Sequence, residues 1–453
     1  MAKIVLSGYY GFNNLGDDAI LYTMIRTLKE IEPTLEITIL AHNPDNMRKY
    51  INEEEGIKAV NRWRVPDVLR AISRCDLFIS GGGSLLQDVS SANGILYYLG
   101  LIGLARWLEK PVLIYAQGIG PVLRTRNKRL TGWILNGVNK IAVRDQESKE
   151  DLVAMGVQQE IAVTADPVFC LYKHQPEPKI GLGILQRYGL IEPRKEQLPK
   201  TVLPTTREQI QNGEQLQNGE QLQNGEQLQN GEQLQNGEEL QNSGMLSDSK
   251  LMPDAEKQDK QEKQEKQEKQ EKQKLLGVYL RSWHKNEFLP ALVDSLRQMA
   301  EKGWRLVFVP MHFPMDITIA REAARLLSDY NPVILKERYS PAEILSLTGN
   351  FDLVLGMRLH SLIMAAVSGV PLVGLSYDHK IDRLLRQIGQ VALFSTNNLD
   401  AQRLAEMLTW TDQNRGDLLK EMDSRLQTMY QKAWTTARIA ISMLEESGAG
   451  SAK

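Results

Sequence analysis

From Lys3 to Asp166 the chain alternates short, continuous apolar runs with longer stretches in which apolar residues recur every three or four positions. Lys3–Ser7, Leu35–Leu40, Leu77–Ser80, Pro111–Ala116 and Lys140–Val143 read as strands; Asp18–Ile31, Ile95–Leu108 and Lys128–Asn136 read as helices between them. A strand that is apolar without alternation is covered on both faces, so the pattern predicts βαβ units around a buried parallel sheet. Asp17 and Asp18 precede the first helix and are expected to cap its free N–H groups. The alternation resumes at Leu275. Strands are expected at Leu276–Leu280, Arg305–Pro310, Phe351–Leu355 and Pro371–Gly374, with helices at Phe288–Ala300, Ala320–Ser328 and Leu359–Ser368. Asp400–Glu446 reads as one or two long amphipathic helices. The expected fold is α/β: two Rossmann-like domains, 1–192 and 275–399, facing a cleft, followed by C-terminal helices and a tail over 400–453.

Between the two halves the pattern vanishes. Gln211–Leu240 is five copies of the hexamer QNGEQL, with Glu239 replacing Gln in the last, and Lys257–Gln273 repeats K-Q-E or K-Q-D every three residues. A glycine in every hexamer disfavours helix, and one leucine per hexamer cannot build a core. The pairs Glu262–Lys266, Glu265–Lys269 and Glu268–Lys272 favour transient helix in the second tract, which has no apolar stripe to bury. Periods this short do not make a solenoid. Residues 193–274 are therefore expected to be a disordered low-complexity insertion, acting as a solvated spacer or, alternatively, as a partner-binding tether.

Composition narrows the function classes. A chain of 453 residues exceeds one hydrophobic core, which agrees with two domains. A net charge of -2, with no Lys/Arg cluster of the nucleic-acid type standing out in the folded parts, predicts no nucleic-acid partner. Cys75 and Cys170 are the only cysteines; they suggest neither a disulfide framework nor a zinc site, and fit a reducing compartment. The N-terminus runs straight into a strand and a glycine turn, so no signal peptide is expected. The most apolar run, Gly94–Ala105, falls short of the roughly 20 residues that span a bilayer. The expected location is the cytosol.

In open parallel sheets ligands bind at the carboxyl ends of the strands. Four polar clusters fall there. After the first strand comes Gly8-Tyr-Tyr-Gly-Phe-Asn-Asn-Leu-Gly-Asp-Asp18, where Asn14 and Asp17 are placed to bond hydroxyls and Asp18 reads as a cap. Ser80-Gly-Gly-Gly-Ser84 follows the third run, and Gly82 and Gly83 either cradle an anion on backbone N–H groups or serve close packing. It is neither a P-loop nor a Rossmann G-x-G-x-x-G. Ala116-Gln-Gly-Ile-Gly-Pro121 is followed by Arg144, which either pairs with Asp145 or Asp166 or clamps a carboxylate or phosphate. The fourth is Gly356–Lys380, an apolar segment with Arg358, His360, His379 and Lys380 at its two ends. Arg358, His360 and Ser361 crowd the first turn of a helix, a usual place for an anion. His360 alone would also fit a packed helix face; its cationic neighbours favour an electropositive mouth.

Six ordered segments, GYYGFNNLGDDAIL, SGGGSLLQD, AQGIGP, VRDQES, ADPVF and GMRLHSLIMAAVSGVPLVGLSYDHKI, together resemble the polysaccharide pyruvyl transferases, nearest to the CsaB-like members associated with cell-wall and S-layer glycans. The resemblance covers both folded halves. It implies a GT-B-like fold and phosphoenolpyruvate as donor substrate, with no further cofactor or metal. It also implies transfer of pyruvate as a ketal to a sugar of a cell-envelope polysaccharide or its lipid-linked precursor, with release of phosphate. Carried over by motif, Arg144, His360 and Lys380 are the site residues. Arg358 and, at the end of a strand, Arg281 are further cations for a donor carrying both carboxylate and phosphate. His360 is the expected general acid. A lipid-linked acceptor would bring Ile95–Trp107 or the C-terminal helices to the inner face of the membrane, although Ile95–Trp107 reads first as a core helix.

The rival in the same fold is a nucleotide-sugar glycosyltransferase. Many retaining members carry Glu-x7-Glu before a Gly-x-Pro turn; aligned on Gly369-Val-Pro371, those positions are Gly356 and Met364, so the ribose-binding acid is missing. A non-enzymatic glycan-binding or scaffold protein is the other alternative. Convergent Arg, His and Lys at one cleft speak against it.

Overall fold

The computed structural model describes residues 1–47, 56–89, 93–192, 273–390 and 393–450. The proposed insertion, 193–274, lies outside the described residues except for its last two. In the first half, β1 (Lys3–Ser7), β2 (Glu36–Ala41), β3 (Ile57–Asn61), β4 (Leu77–Gly81), β5 (Val112–Gln117), β6 (Lys140–Val143) and β7 (Ile161–Val163) form a parallel sheet of order β3-β2-β1-β4-β5-β6-β7. Its connecting helices are α1 (Leu15–Ile31), α2 (Pro44–Met47), α3 (Val65–Ser73), α4 (Gly94–Trp107), α5 (Thr125–Leu135) and α6 (Gln146–Ala154), and α7 (Pro178–Arg187) follows a 3₁₀ turn at Pro167–Lys173.

The second half repeats the design. β8 (Leu275–Tyr279), β9 (Arg305–Phe308), β10 (Val333–Ile334), β11 (Leu353–Gly356), β12 (Leu372–Ser376) and β13 (Leu393–Ser395) form a parallel sheet of order β10-β9-β8-β11-β12-β13. Its helices are α8 (Leu289–Glu301), α9 (Met315–Leu326), α10 (Pro341–Thr348), α11 (Leu359–Val367), α12 (His379–Gln387), α13 (Ala401–Gln413) and α14 (Arg415–Gly450). The two Rossmann-like halves expected from the sequence are both present. β3, β7, β10 and β13 are additions to the expected strand set, and β3 and β10 are the outermost strands on one side of each sheet.

Both sheets reverse their strand order at one point, between β1 and β4 and between β8 and β11. Loops leaving adjacent strands there run in opposite directions and open a crevice at the carboxyl ends. The two crevices meet across a joined seam: the Leu15 N–H donates to the Met311 carbonyl at 2.8 Å and the Phe313 N–H to the Asn13 carbonyl at 3.1 Å. α14 then returns to the first half, where the Thr436 hydroxyl donates to the Thr164 hydroxyl at 2.9 Å. One apolar cluster runs through both halves, joining Ile4 and Leu6 to Tyr279, Leu362 and Trp434.

The start of α1 differs from expectation. Asn14 is its cap, accepting the Gly16 N–H at 3.2 Å, while Asp17 and Asp18 lie inside the first turn. Asp18 is buried, with Oδ1 lacking a hydrogen-bond partner among the described residues. Burial first, then neighbouring Asp17, pushes its carboxyl up to about 7, against the Gly11 N–H and Arg338.

Candidate functional site

The first half supplies mostly acids. Asn14 donates through Nδ2 to Asp17, orienting a half-buried carboxylate at the cleft. Gly83, at φ 71°, makes room for it: a Cβ there would lie 2.7 Å from Asp17 Oδ1. A Cβ on Gly82 would lie 2.0 Å from Ile20 Cγ2, so Gly82 serves the close packing of α1 on the sheet rather than an open anion cradle. Arg144 leaves the end of β6 and lies flat on Gly118, where a Cβ would come within 2.5 Å of its guanidinium carbon. It is buried, and its nitrogens reach Asp145 at 3.3 Å, Asp166 at 3.4 Å and the Ser84 hydroxyl at 3.3 Å. Both candidate acid partners of Arg144 are therefore engaged. Asp166 caps the 3₁₀ turn by accepting the Val168 N–H at 3.1 Å.

The second half supplies the cations and the histidine. His360, in the first turn of α11, sets Nε2 3.5 Å from Asp166 Oδ2, the oxygen that Arg144 also approaches. Among the described residues no hydrogen bond satisfies this Nε2. The other ring edge rests on α1: a Cβ on Gly16 would lie 2.3 Å from Nδ1. A glycine in this helical turn is what lets the imidazole cross the seam. Lys380, in the first turn of α12, sits 3.3 Å from Asp378, whose carboxylate caps that helix by accepting the Lys380 N–H at 3.1 Å.

Three expected cations are placed differently from one another. Arg358 grips buried Asp316 with both arms, Nε to Oδ2 at 3.0 Å and Nη2 to Oδ1, so its fork is already occupied. Asp316 in turn accepts the Met311 and His312 N–H groups at 3.1 and 2.9 Å, so this pair holds the seam loop in place. Arg281 donates to the Tyr377 hydroxyl at 2.6 Å and lies over the Tyr377 ring, while its buried Nε has no hydrogen-bond partner among the described residues. His379 points to solvent, its side chain 91% exposed, and does not belong to the cluster.

The electrostatics show which groups converge. Burial pushes the Asp17 carboxyl up to about 6, while His360, Lys380 and Arg358, all from the second half, pull it down and Asp166 pushes it up. Burial would raise Asp166 too, but His360, Arg144 and the Val168 N–H outweigh it and hold the carboxyl below its ordinary range. Asp378 is likewise lowered: Lys380, its N–H and Arg144 overcome burial. His312 is lowered by burial and by Arg358. Two carboxylates flank His360 and are driven in opposite directions, a pattern suited to distinct proton-transfer roles.

One feature of the cleft escaped the sequence reading. Tyr9 stacks on Phe12 at 4.0 Å and Phe12 on His42 at 4.3 Å; Trp63 meets His42 at 6.1 Å and Tyr97 at 5.4 Å. Arg62 lies buried behind this wall, 4.2 Å from the Tyr97 ring centre, and donates to the Gly8 carbonyl at 2.8 Å. Trp63 remains 55% exposed. The signal was an Arg-Trp pair after β3, a strand the pattern had not revealed.

A two-domain α/β protein of GT-B-like architecture, with acids, a histidine and cations gathered where its parallel sheets face each other, is the class that fold and site define. The sequence profile of the polysaccharide pyruvyl transferases matches residues 14–214 and 235–379, and the chain belongs to that family. No curated protein matches it. Solved structures show the same fold at low identity. A UDP-N-acetylglucosamine 2-epimerase from Neisseria meningitidis, bound to UDP-GlcNAc, is 14% identical with a TM-score of 0.53, covering 98% of this chain and 100% of its own. The S. aureus MnaA–UDP structure is 10% identical with a TM-score of 0.56, covering 97% and 95%. A glycosyltransferase from Rickettsia africae is 11% identical with a TM-score of 0.53, covering 98% of each. These three share the architecture.

Proposed function

We propose that the cleft transfers the pyruvyl group of phosphoenolpyruvate to two hydroxyls of one sugar, as in the CsaB-like branch, forming a ketal and releasing phosphate. The acceptor is a sugar of a cell-envelope polysaccharide or of its lipid-linked precursor. The observation that carries this reading is His360, held between the Asp166 carboxylate and Gly16, with Lys380 acting on the same Asp17. The donor's carboxylate and phosphate call for several cations in a small space. Lys380, with Arg281 behind it, fills that role; Arg144, already paired with Asp145 and Asp166, adds only the Nη2 that now meets the Ser84 hydroxyl, and Arg358 positions the seam.

His360 gives a proton to the donor's methylene carbon, which makes the neighbouring carbon electrophilic. One sugar oxygen bonds to that carbon and Asp17, ionised at neutral pH, takes the hydroxyl proton. The second oxygen then displaces phosphate as the carbon–oxygen bond to it breaks. Two C–O bonds and one C–H bond form; the first hydroxyl proton passes from Asp17 to His360, replacing the one given to the methyl group, and the second leaves on the phosphate. The aromatic wall beside Asp17 offers flat apolar faces to the sugar rings of the acceptor.

The glycosyltransferase alternative draws no support from the residues. A Cβ on Gly356 would lie 2.8 Å from Leu362 and from the Ser361 hydroxyl, so that position has no room for a ribose-binding acid. Calorimetry with phosphoenolpyruvate and, separately, UDP-GlcNAc tests the choice. Binding of the first alone, with phosphate release when glycans are added, supports pyruvyl transfer; binding of the nucleotide sugar alone defeats it.

A further inference from the structure

The outer face of α4 is unlike that of a solvent-facing helix. Ile95, Tyr98, Leu99, Ile102 and Ala105 point into the core, as the sequence predicted for this run. The opposite stripe, Leu96, Gly100, Gly103, Leu104 and Trp107, recurs at three- and four-residue spacing and contains no charge. A Cβ on Gly100 or Gly103 would meet nothing within 4 Å, so among the described residues nothing covers the stripe at these two positions. Trp107 is 77% exposed, and on the adjoining α5 Trp133 is 71% exposed. The two tryptophans rim a concavity of about 500 Å³ that Arg106 and Lys110 also line. Arg106 holds the corner, donating to the Ile134 carbonyl at 2.9 Å and lying over the Trp133 ring.

Charge is equally biased. Between Gly94 and Val143 the sequence holds seven Lys or Arg and one acid, Glu109, in a chain whose net charge is -2. Four of those cations, Arg124, Arg126, Lys128 and Arg129, are exposed at the start of α5, and Arg126, Arg129 and Trp133 share one stripe. This cluster was overlooked in the sequence because the chain as a whole is slightly acidic.

We propose that the α4–α5 face docks on an anionic lipid surface. Exposed tryptophans, an uncharged helix stripe and flanking cations that outnumber the one acid at the concavity, Glu109, match the boundary between acyl chains and phosphate headgroups: the indoles and Leu104 enter the boundary, and the arginines pair with lipid phosphates. A nucleic acid would use the cations but leave the apolar stripe wet. Tyr97, part of the aromatic wall, lies on the same helix ten residues before Trp107, about 15 Å along its axis. Docking would therefore hold the mouth of the cleft close to the lipid surface, where a lipid-linked acceptor is found. The surface does not depend on which reaction the cleft performs.

The test is co-sedimentation of the full chain with phosphatidylcholine vesicles, pure or containing about one-third phosphatidylglycerol. The wild type should pellet with the anionic vesicles alone and be released by high salt. Trp107→Ala/Trp133→Ala and Arg126→Glu/Arg129→Glu should each weaken binding at least about tenfold. Unchanged melting curves would show that these exposed substitutions leave the fold intact. Phosphoenolpyruvate binding on the same samples keeps failure of this surface distinct from failure of the proposed reaction. The proposal is overturned if the wild type stays in the supernatant or if neither variant binds more weakly. It is equally overturned if the face instead binds a DNA duplex, or if it is the contact between two copies, dissociated by the tryptophan substitutions.

Discussion

The loops after β1 and β6 bring Asp17 and Arg144 to the cleft, with Asp166 after β7; those after β11 and β12 bring Arg358, His360 and Lys380. The first face is mainly acidic and lined by glycines, and the second is cationic. Neither holds a working set. Asp17 is pushed up by its own burial and pulled back by cations from across the seam, and His360 finds both its acid neighbour and its glycine platform in the other half. The proposed chemistry therefore depends on how closely the halves meet. The Arg358–Asp316 pair belongs to that same geometry, because it fixes the loop whose carbonyl accepts the Leu15 N–H.

The strongest way to break this arrangement is to wedge it. Gly16→Ala adds one methyl where a Cβ would lie 2.3 Å from His360 Nδ1, so the imidazole must move. Alanine is the better helix former, so α1 should persist. A displacement of about 1 Å costs on the order of a hundredfold in rate. Phosphate release should fall by that much while the melting temperature holds; an unimpaired Gly16→Ala enzyme would show that His360 works elsewhere.

Lys380→Ala removes a cation from the second face without touching the buried acids. Donor affinity measured by calorimetry should drop roughly tenfold or more, the usual worth of a charged hydrogen bond. Equal affinity in the variant would place the donor's anionic groups away from α12. Trp63→Ala tests the opposite end of the cleft. Losing one stacked ring should raise the KM for the acceptor about three- to tenfold and leave phosphoenolpyruvate binding unaltered. A donor-side defect instead would refute the acceptor wall.

The smallest effect concerns Asp18, the buried acid beside Asp17. Its folded pKa of about 7 lies above the ordinary 3.8, so its contribution to stability is complete below pH 3.8 and is lost as pH rises through about 7. Asp18→Asn should therefore raise the melting temperature by at least about 2 °C at pH 8 and by less at pH 5. A gain that is the same at both would mean that Asp18 does not titrate there.

What the sequence made legible follows from physics that acts locally. β1 and β6 fall at Lys3–Ser7 and Lys140–Val143 as expected, because a buried parallel strand is an uninterrupted apolar run. Arg144 stood out because it directly continues such a run, and His360 and Lys380 because they stand at the ends of the apolar segment 356–380. β10, with two residues, and β13, with three, carry too little pattern to separate from loop. The choice of Asn14 over Asp17 and Asp18 as cap is set by where the chain turns, which neighbouring polar residues do not reveal. Asp316 was invisible as the partner of Arg358, and Asp166 as the neighbour of His360, since both contacts join residues from different elements. The aromatic wall was hidden for the same reason, being assembled from four separate segments.

In the proposed reaction His360 moves a proton in a cleft built from both halves. His360→Gln keeps a hydrogen-bonding group of similar reach and cannot titrate. The decisive measurement is phosphate release by this variant, with phosphoenolpyruvate affinity and melting temperature determined on the same preparation. If His360 is the acid, the variant is a folded protein that binds the donor and turns over about a hundredfold to ten-thousandfold more slowly. A stable, fully active His360→Gln enzyme would contradict it, and a destabilised variant whose folded fraction keeps full activity would reduce His360 to a packing residue.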